Sequence, residues 1–121
     1  MKKIVVCSLL LFFISCSGNK IMSPSDTAKV VAESFYHGDK ATLKNHTTAE
    51  GYANLSSIQE IFAEDKNSES DFKIIDEAMD GDFAWVKYST AYDPIPGVFK
   101  LVQEDGHWKV THNGPRDNGP F

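Results

Sequence analysis

Apolar residues follow three regimes along this 121-residue chain. They form an apolar run from Ile4 to Ile14 broken only by Ser8, recur at helical spacing through the first half, and from residue 72 onward become β-branched and aromatic runs set between turn signals. The spacing of Ala28, Val31, Ala32 and Phe35 predicts a helix over residues 24–37. Ser23-Pro24-Ser25-Asp26 supplies its start: an N-cap hydroxyl, a proline at the first helical position and an acidic residue in the first turn. Gly38 supplies a left-handed stop. Asp39 then caps a short second helix through His46, anchored by Leu43 and closed at Thr47-Thr48. In a third helical pattern Leu55, Ile58, Ile61 and Phe62 share a face, and the polar run 64–70 reads as a loop.

Four strands are predicted over residues 72–79, 83–92, 98–104 and 107–113. Asp105-Gly106 is a two-residue hairpin signal that sets Trp108 opposite Gln103, Val110 opposite Leu101 and His112 opposite Phe99. Asp80-Gly81-Asp82 is a second turn whose register stays open, because adjacent Ile74 and Ile75 share a face only through a bulge. Pro94-Ile95-Pro96-Gly97 reads as a connection, since proline has no N–H to donate to a central ladder. Helices followed by antiparallel strands define an α+β domain with N-terminal helices packed on one face of a curved four-stranded sheet.

The first regime is of a different kind. Lys2 and Lys3, the apolar run and Ser15 have the three parts of a secretory signal, and the run is shorter than the ~20 apolar residues that cross a bilayer. Phe13-Ile14-Ser15-Cys16 resembles the lipobox of bacterial lipoproteins, with phenylalanine where leucine is usual. That resemblance implies a signal peptide over residues 1–15, palmitate-type acylation of Cys16, a lipidated tether over residues 16–22, and attachment to a membrane of the bacterial cell envelope. Ser17, with no aspartate after the cysteine, resembles lipoproteins sent to the outer membrane. Cys7 would leave with the signal and Cys16 would be alkylated, so no thiol remains for disulfide or metal chemistry. Loss of Lys2 and Lys3 leaves 10 basic against 17 acidic residues, a formal charge of −7. Nucleic acid is an unsuitable partner for such a chain, because its recognition needs concentrated Lys and Arg.

Within the domain, residues 23–113, the end of the first helix at Phe35-Tyr36-His37-Gly38-Asp39, the short helix around Leu43, and the late hairpin carrying Gly106-His107-Trp108-Lys109-Val110 together resemble the nuclear-transport-factor-two-like fold. They resemble in particular small bacterial lipoproteins of unknown function, also described as cystatin-like or lumazine-binding-like. The resemblance implies a cone formed by a bent sheet around the first helix. In some relatives the cone holds a catalytic pocket and in others it is merely packed.

Candidate chemistry is sparse. No Gly-rich phosphate loop, His-Glu-x-x-His, Cys-x-x-Cys or Gly-x-Ser-x-Gly is present, so no cofactor and no metal are expected. His112, on the predicted face of Val110 and Trp108, is the histidine expected to look into the cone, where Asp76 beside it would make a general base near neutral pH. Tyr36, Trp85, Tyr88, Trp108 and His112 are candidates for an apolar pocket with polar tips, or for ordinary core. The Gly/Pro-rich tail, residues 114–121, either docks Phe121 on the sheet or frays. Three functions are expected in this order. The first is a non-enzymatic module that binds a small apolar or aromatic ligand or an envelope protein, the second a cofactor-free acid/base enzyme, and the third a structural or inhibitory interaction protein.

Overall fold

The computed structural model describes residues 21–114 and 117–121. The signal peptide expected over residues 1–15, Cys16 and the expected tether up to Lys20, with Pro115 and Arg116 of the tail, lie outside the described residues. Three helices, α1 (Pro24–Tyr36), α2 (Lys40–Asn45) and α3 (Ala49–Phe62), precede four strands, β1 (Lys73–Asp80), β2 (Phe83–Thr90), β3 (Asp93–Glu104) and β4 (His107–Thr111). The strands form one antiparallel sheet in the order β1-β2-β3-β4.

Each helix begins where a side-chain oxygen accepts from an unpaired backbone N–H. Ser23 Oγ accepts from Asp26 N at 3.1 Å, an Asp39 carboxylate oxygen from Thr42 N at 3.1 Å, and Thr48 Oγ1 from Gly51 N at 3.0 Å. The α1 and α2 caps are those expected from sequence. Thr48, expected to close α2, opens α3. The core is the α1 stripe of Ala28, Val31, Ala32 and Phe35, with Leu43 of α2, set against Ala84, Val86, Phe99, Leu101 and Val110 of the sheet. Removing a Leu or Val side chain from water in this way contributes about 1.5–3 kcal/mol each.

The α2–α3 junction closes the β4 side of the sheet. Val110 N donates to His46 O at 3.0 Å and Thr48 N donates to Val110 O at 2.9 Å, so β4 presents a covered edge rather than a free one. The start of α3 sits so close to β4 that a Cβ on Gly51 would lie 2.5 Å from Val110 O. On the opposite edge, β1 carries the bulge at Ile75, between Ile74 and Asp76, and Ser25 Oγ hydrogen-bonds Glu77. The hairpin at Asp105-Gly106 has positive φ at both residues, 54° and 80°, as a type I′ turn requires. It pairs Trp108 with Gln103 and Val110 with Leu101 as expected.

Three expectations are corrected. Pro94 and Pro96 lie inside β3, which begins at Asp93. β4 reaches only as far as Lys100, paired with Thr111, so Asp93–Phe99 has a ladder partner on one side, β2, with a register shift between Tyr88 and Thr90. Proline is tolerated there because no second ladder asks for its missing N–H. His112 lies past the end of β4, exposed, and does not pair with Phe99. The apolar face of α3 is only partly its buried face: Leu55 packs against the core, and Gly51 and Gln59 are buried, while Ile58, Phe62 and Ile61 are 37%, 46% and 76% exposed. Gln59 takes the interior position because its Nε2 donates to Ser34 O and Phe35 O, both at 3.1 Å, at the end of α1.

Candidate functional site

The exposed stripe on α3 borders a cavity. Where α1 ends, Phe35 and Tyr36 meet Leu55, Ile58 and Phe62 of α3 across a gap floored by Tyr88 and Phe99, and Asp93 stands at its edge; the space is about 190 Å³. The aromatic rings support one another. Phe35 packs edge-on to Tyr36 with centroids 5.2 Å apart, Tyr88 lies 4.7 Å from Phe99, and Phe72 stacks on the far side of the pair, 5.3 Å from Tyr88. A close approach fixes the floor. Tyr88 pairs with Gly97, and a Cβ at Gly97 would lie 2.5 Å from both Cζ and Oη of Tyr88, so only glycine leaves room for the phenol.

Burial raises the pKa of Tyr88 well above the usual phenol range, and the neighbouring Tyr36 and the Asp93 carboxylate add to the rise. Tyr36 is raised by burial and then by Asp93, with the nearby Thr90 side chain acting the other way. Both phenols are therefore neutral at physiological pH. Asp93 is the one charged group in the lining, and it is conformationally held: an Oδ accepts from Ile95 N at 2.9 Å.

The sequence-predicted site residues separate. Tyr36 and Tyr88 meet in the cavity. Trp108 lies away from it, lining a 350 Å³ groove with His46, His107 and Lys109 and a 450 Å³ groove with Met79, Asp82 and Gln103. Both spaces are larger, and the one beside His46 is also mostly apolar; what sets the cavity apart is the convergence of five aromatic side chains from two helices and the sheet. Trp85 is buried on the other face of the sheet, alternating with the core residues Ala84 and Val86, and Gly119 of the tail rests directly on its indole. The tail thus docks through Gly119, and Trp85 does not line the cone.

The expected His112–Asp76 pair is not assembled. Asp76 is on β1 and His112 follows β4, at opposite edges of the sheet, and both are exposed. Asp76 instead accepts from Glu77 N at 2.8 Å. Tyr92 joins a polar clasp: its Oη is 3.0 Å from His37 Nε2 and 2.7 Å from Ser68 Oγ, pinning the 63–72 loop to the end of α1. Among the described residues no group of three or more His, Cys, Asp or Glu side chains is placed to hold a metal ion.

Sequence reasoning does not reach Asp93, Phe99 or the α3 side of the cavity. The signal for the last is the shared face of Ile58 and Phe62, which periodicity alone assigns to core.

No family model matches this chain, and no curated protein matches it in sequence. A solved structure from Campylobacter jejuni, described as a "putative NTF2-like transpeptidase", superposes with a TM-score of 0.58 at 18% identity, over 76% of this chain and all of that one. The domain therefore has the NTF2-like fold implied by the sequence resemblance. At this identity the likeness extends to the fold alone.

Proposed function

We propose that the protein is a non-enzymatic binding module of the bacterial cell envelope that takes a small apolar or aromatic group into the cavity between α1, α3 and the β2–β3 hairpin. The observation that carries this reading is the unfilled, aromatic-lined space itself, bordered by Ile58 and Phe62, which the fold leaves part-exposed. The space opens to solvent, and clefts lined by apolar and aromatic side chains with a few polar groups are the usual form of a small-molecule site. At about 190 Å³ the space is below the usual size of drug-like sites but above the ~150 Å³ that accommodates a benzene ring.

The transpeptidase in the Campylobacter protein's name does not transfer to this chain. Covalent acyl transfer needs a serine, cysteine or threonine nucleophile beside a base, and the cavity lining includes none of the three. With His112 and Asp76 apart, the acid/base pair expected from sequence is also absent from the site.

Titration of the ¹⁵N-labelled full chain with indole tests the reading. Saturable shifts are expected at Tyr36, Tyr88 and Phe99, and Ile58→Trp, which plugs the mouth from an already half-open position, should abolish them. Shifts scattered over the surface, or an unchanged response in the plugged variant, would overturn it. The anchor is tested separately: Cys16→Ala should move the protein from the membrane fraction to the soluble fraction, and continued sedimentation with membranes would remove the lipid from the proposal.

A further inference from the structure

We infer that the cavity selects a small organic cation, an ammonium head on a compact apolar body, over a neutral molecule of the same shape. This rests on the binding reading above and names its ligand class. Five aromatic side chains line the space, Phe35, Tyr36, Phe62, Tyr88 and Phe99, and the one charged group among the lining residues is the Asp93 carboxylate. Aromatic rings attract cations through the negative potential of their faces, and more strongly where water is excluded. A carboxylate at the rim adds long-range attraction for the same sign of charge.

The rest of the molecule shows the same chemistry satisfied internally. Lys100 Nζ lies 4.3 Å from the centroid of Phe83 and 5.5 Å from that of Trp85, and Lys44 Nζ lies 5.9 Å from that of Tyr52. Among the described residues no lysine or arginine lines the cavity, so the Asp93 carboxylate and the part-exposed Tyr36 and Phe62 rings have no cation from the lining itself, while Tyr88, held between Phe72 and Phe99, serves as floor. An anionic ligand is disfavoured by Asp93. The volume restricts the occupant to a head group of a few heavy atoms, such as a trimethylammonium or a primary amine on a short chain or single ring.

The test compares choline with 3,3-dimethyl-1-butanol, in which a carbon replaces the quaternary nitrogen and the shape is kept. Both are titrated into the ¹⁵N-labelled full chain and followed at Tyr36, Tyr88 and Phe99. Choline is expected to bind about tenfold more tightly than the alcohol. Asp93→Asn, which retains an oxygen to accept from Ile95 N, should narrow the gap between the two affinities, leaving the part due to the aromatic rings. Equal affinities in the unsubstituted protein would overturn the cation inference and leave the apolar binding module standing. If neither compound shifts any of the three residues while indole does, the cation inference falls and the binding reading stands; if indole also fails, both fall.

Discussion

Tyr88 shows how one side chain ties the packing of this protein to its chemistry. Its ring is held between Phe72 and Phe99, and its phenol over Gly97, leaving the hydroxyl too desolvated to ionise at its ordinary pH. A raised phenol pKa has a definite sign in stability. The unfolded chain releases the proton near the ordinary value of 10.0 while the folded chain retains it. The contribution is therefore fully present below pH 10 and is lost as pH rises through the folded value. Urea midpoints should fall above pH 10, and Tyr88→Phe should flatten that fall. Absorbance at 295 nm should show Tyr88 ionising after the other tyrosines, and early ionisation of all four would contradict the burial.

At the scale of elements, α3 is the case where periodicity and burial part company. Leu43 on the six-residue α2 is fully buried and holds α2 against α1, whereas Ile61 on the longer, more apolar α3 is 76% exposed. These two positions should respond oppositely to substitution. Leu43→Ala should cost about 2–5 kcal/mol by cavity formation. Ile61→Lys should stay within about 0.5 kcal/mol of the parent in urea denaturation, as a surface change touching no partner. A large loss at Ile61 would mean that α3 packs more tightly than its exposure indicates. The same divergence applies to β3, where the prolines mark a one-sided stretch of ladder rather than a break in the strand.

For the whole molecule, one face of the sheet is covered by helices and part of the other by the C-terminal tail. Trp85 is 4% exposed because Gly119 lies on it, although the ring belongs to the face turned away from the core. Deleting residues 115–121 should expose Trp85 and shift its fluorescence to the red. In a Trp108→Phe background, where Trp85 is the sole reporter, the shift should persist. An unchanged emission spectrum in that background would show that something other than the tail buries the ring.

Local chemistry makes much of this fold legible in the sequence. Caps at Ser23 and Asp39, the stop at Gly38, the α1 core stripe and the Asp105-Gly106 hairpin all depend on residues within a few positions of one another. Backbone hydrogen bonding and turn dihedrals are satisfied at that range, so the sequence by itself determined them, along with the α+β order, and it offered both tyrosines of the cavity as candidates. What tertiary structure alone decided is what faces what. Sheet order put Asp76 and His112 at opposite edges, the short β4 left Pro94 and Pro96 room inside a strand, the tail claimed Trp85, and docking of α3 turned its buried side to Gly51 and Gln59. Each depends on contacts between residues far apart in the chain, and the period of a helix or strand says that a face is apolar without saying whether protein or ligand will cover it.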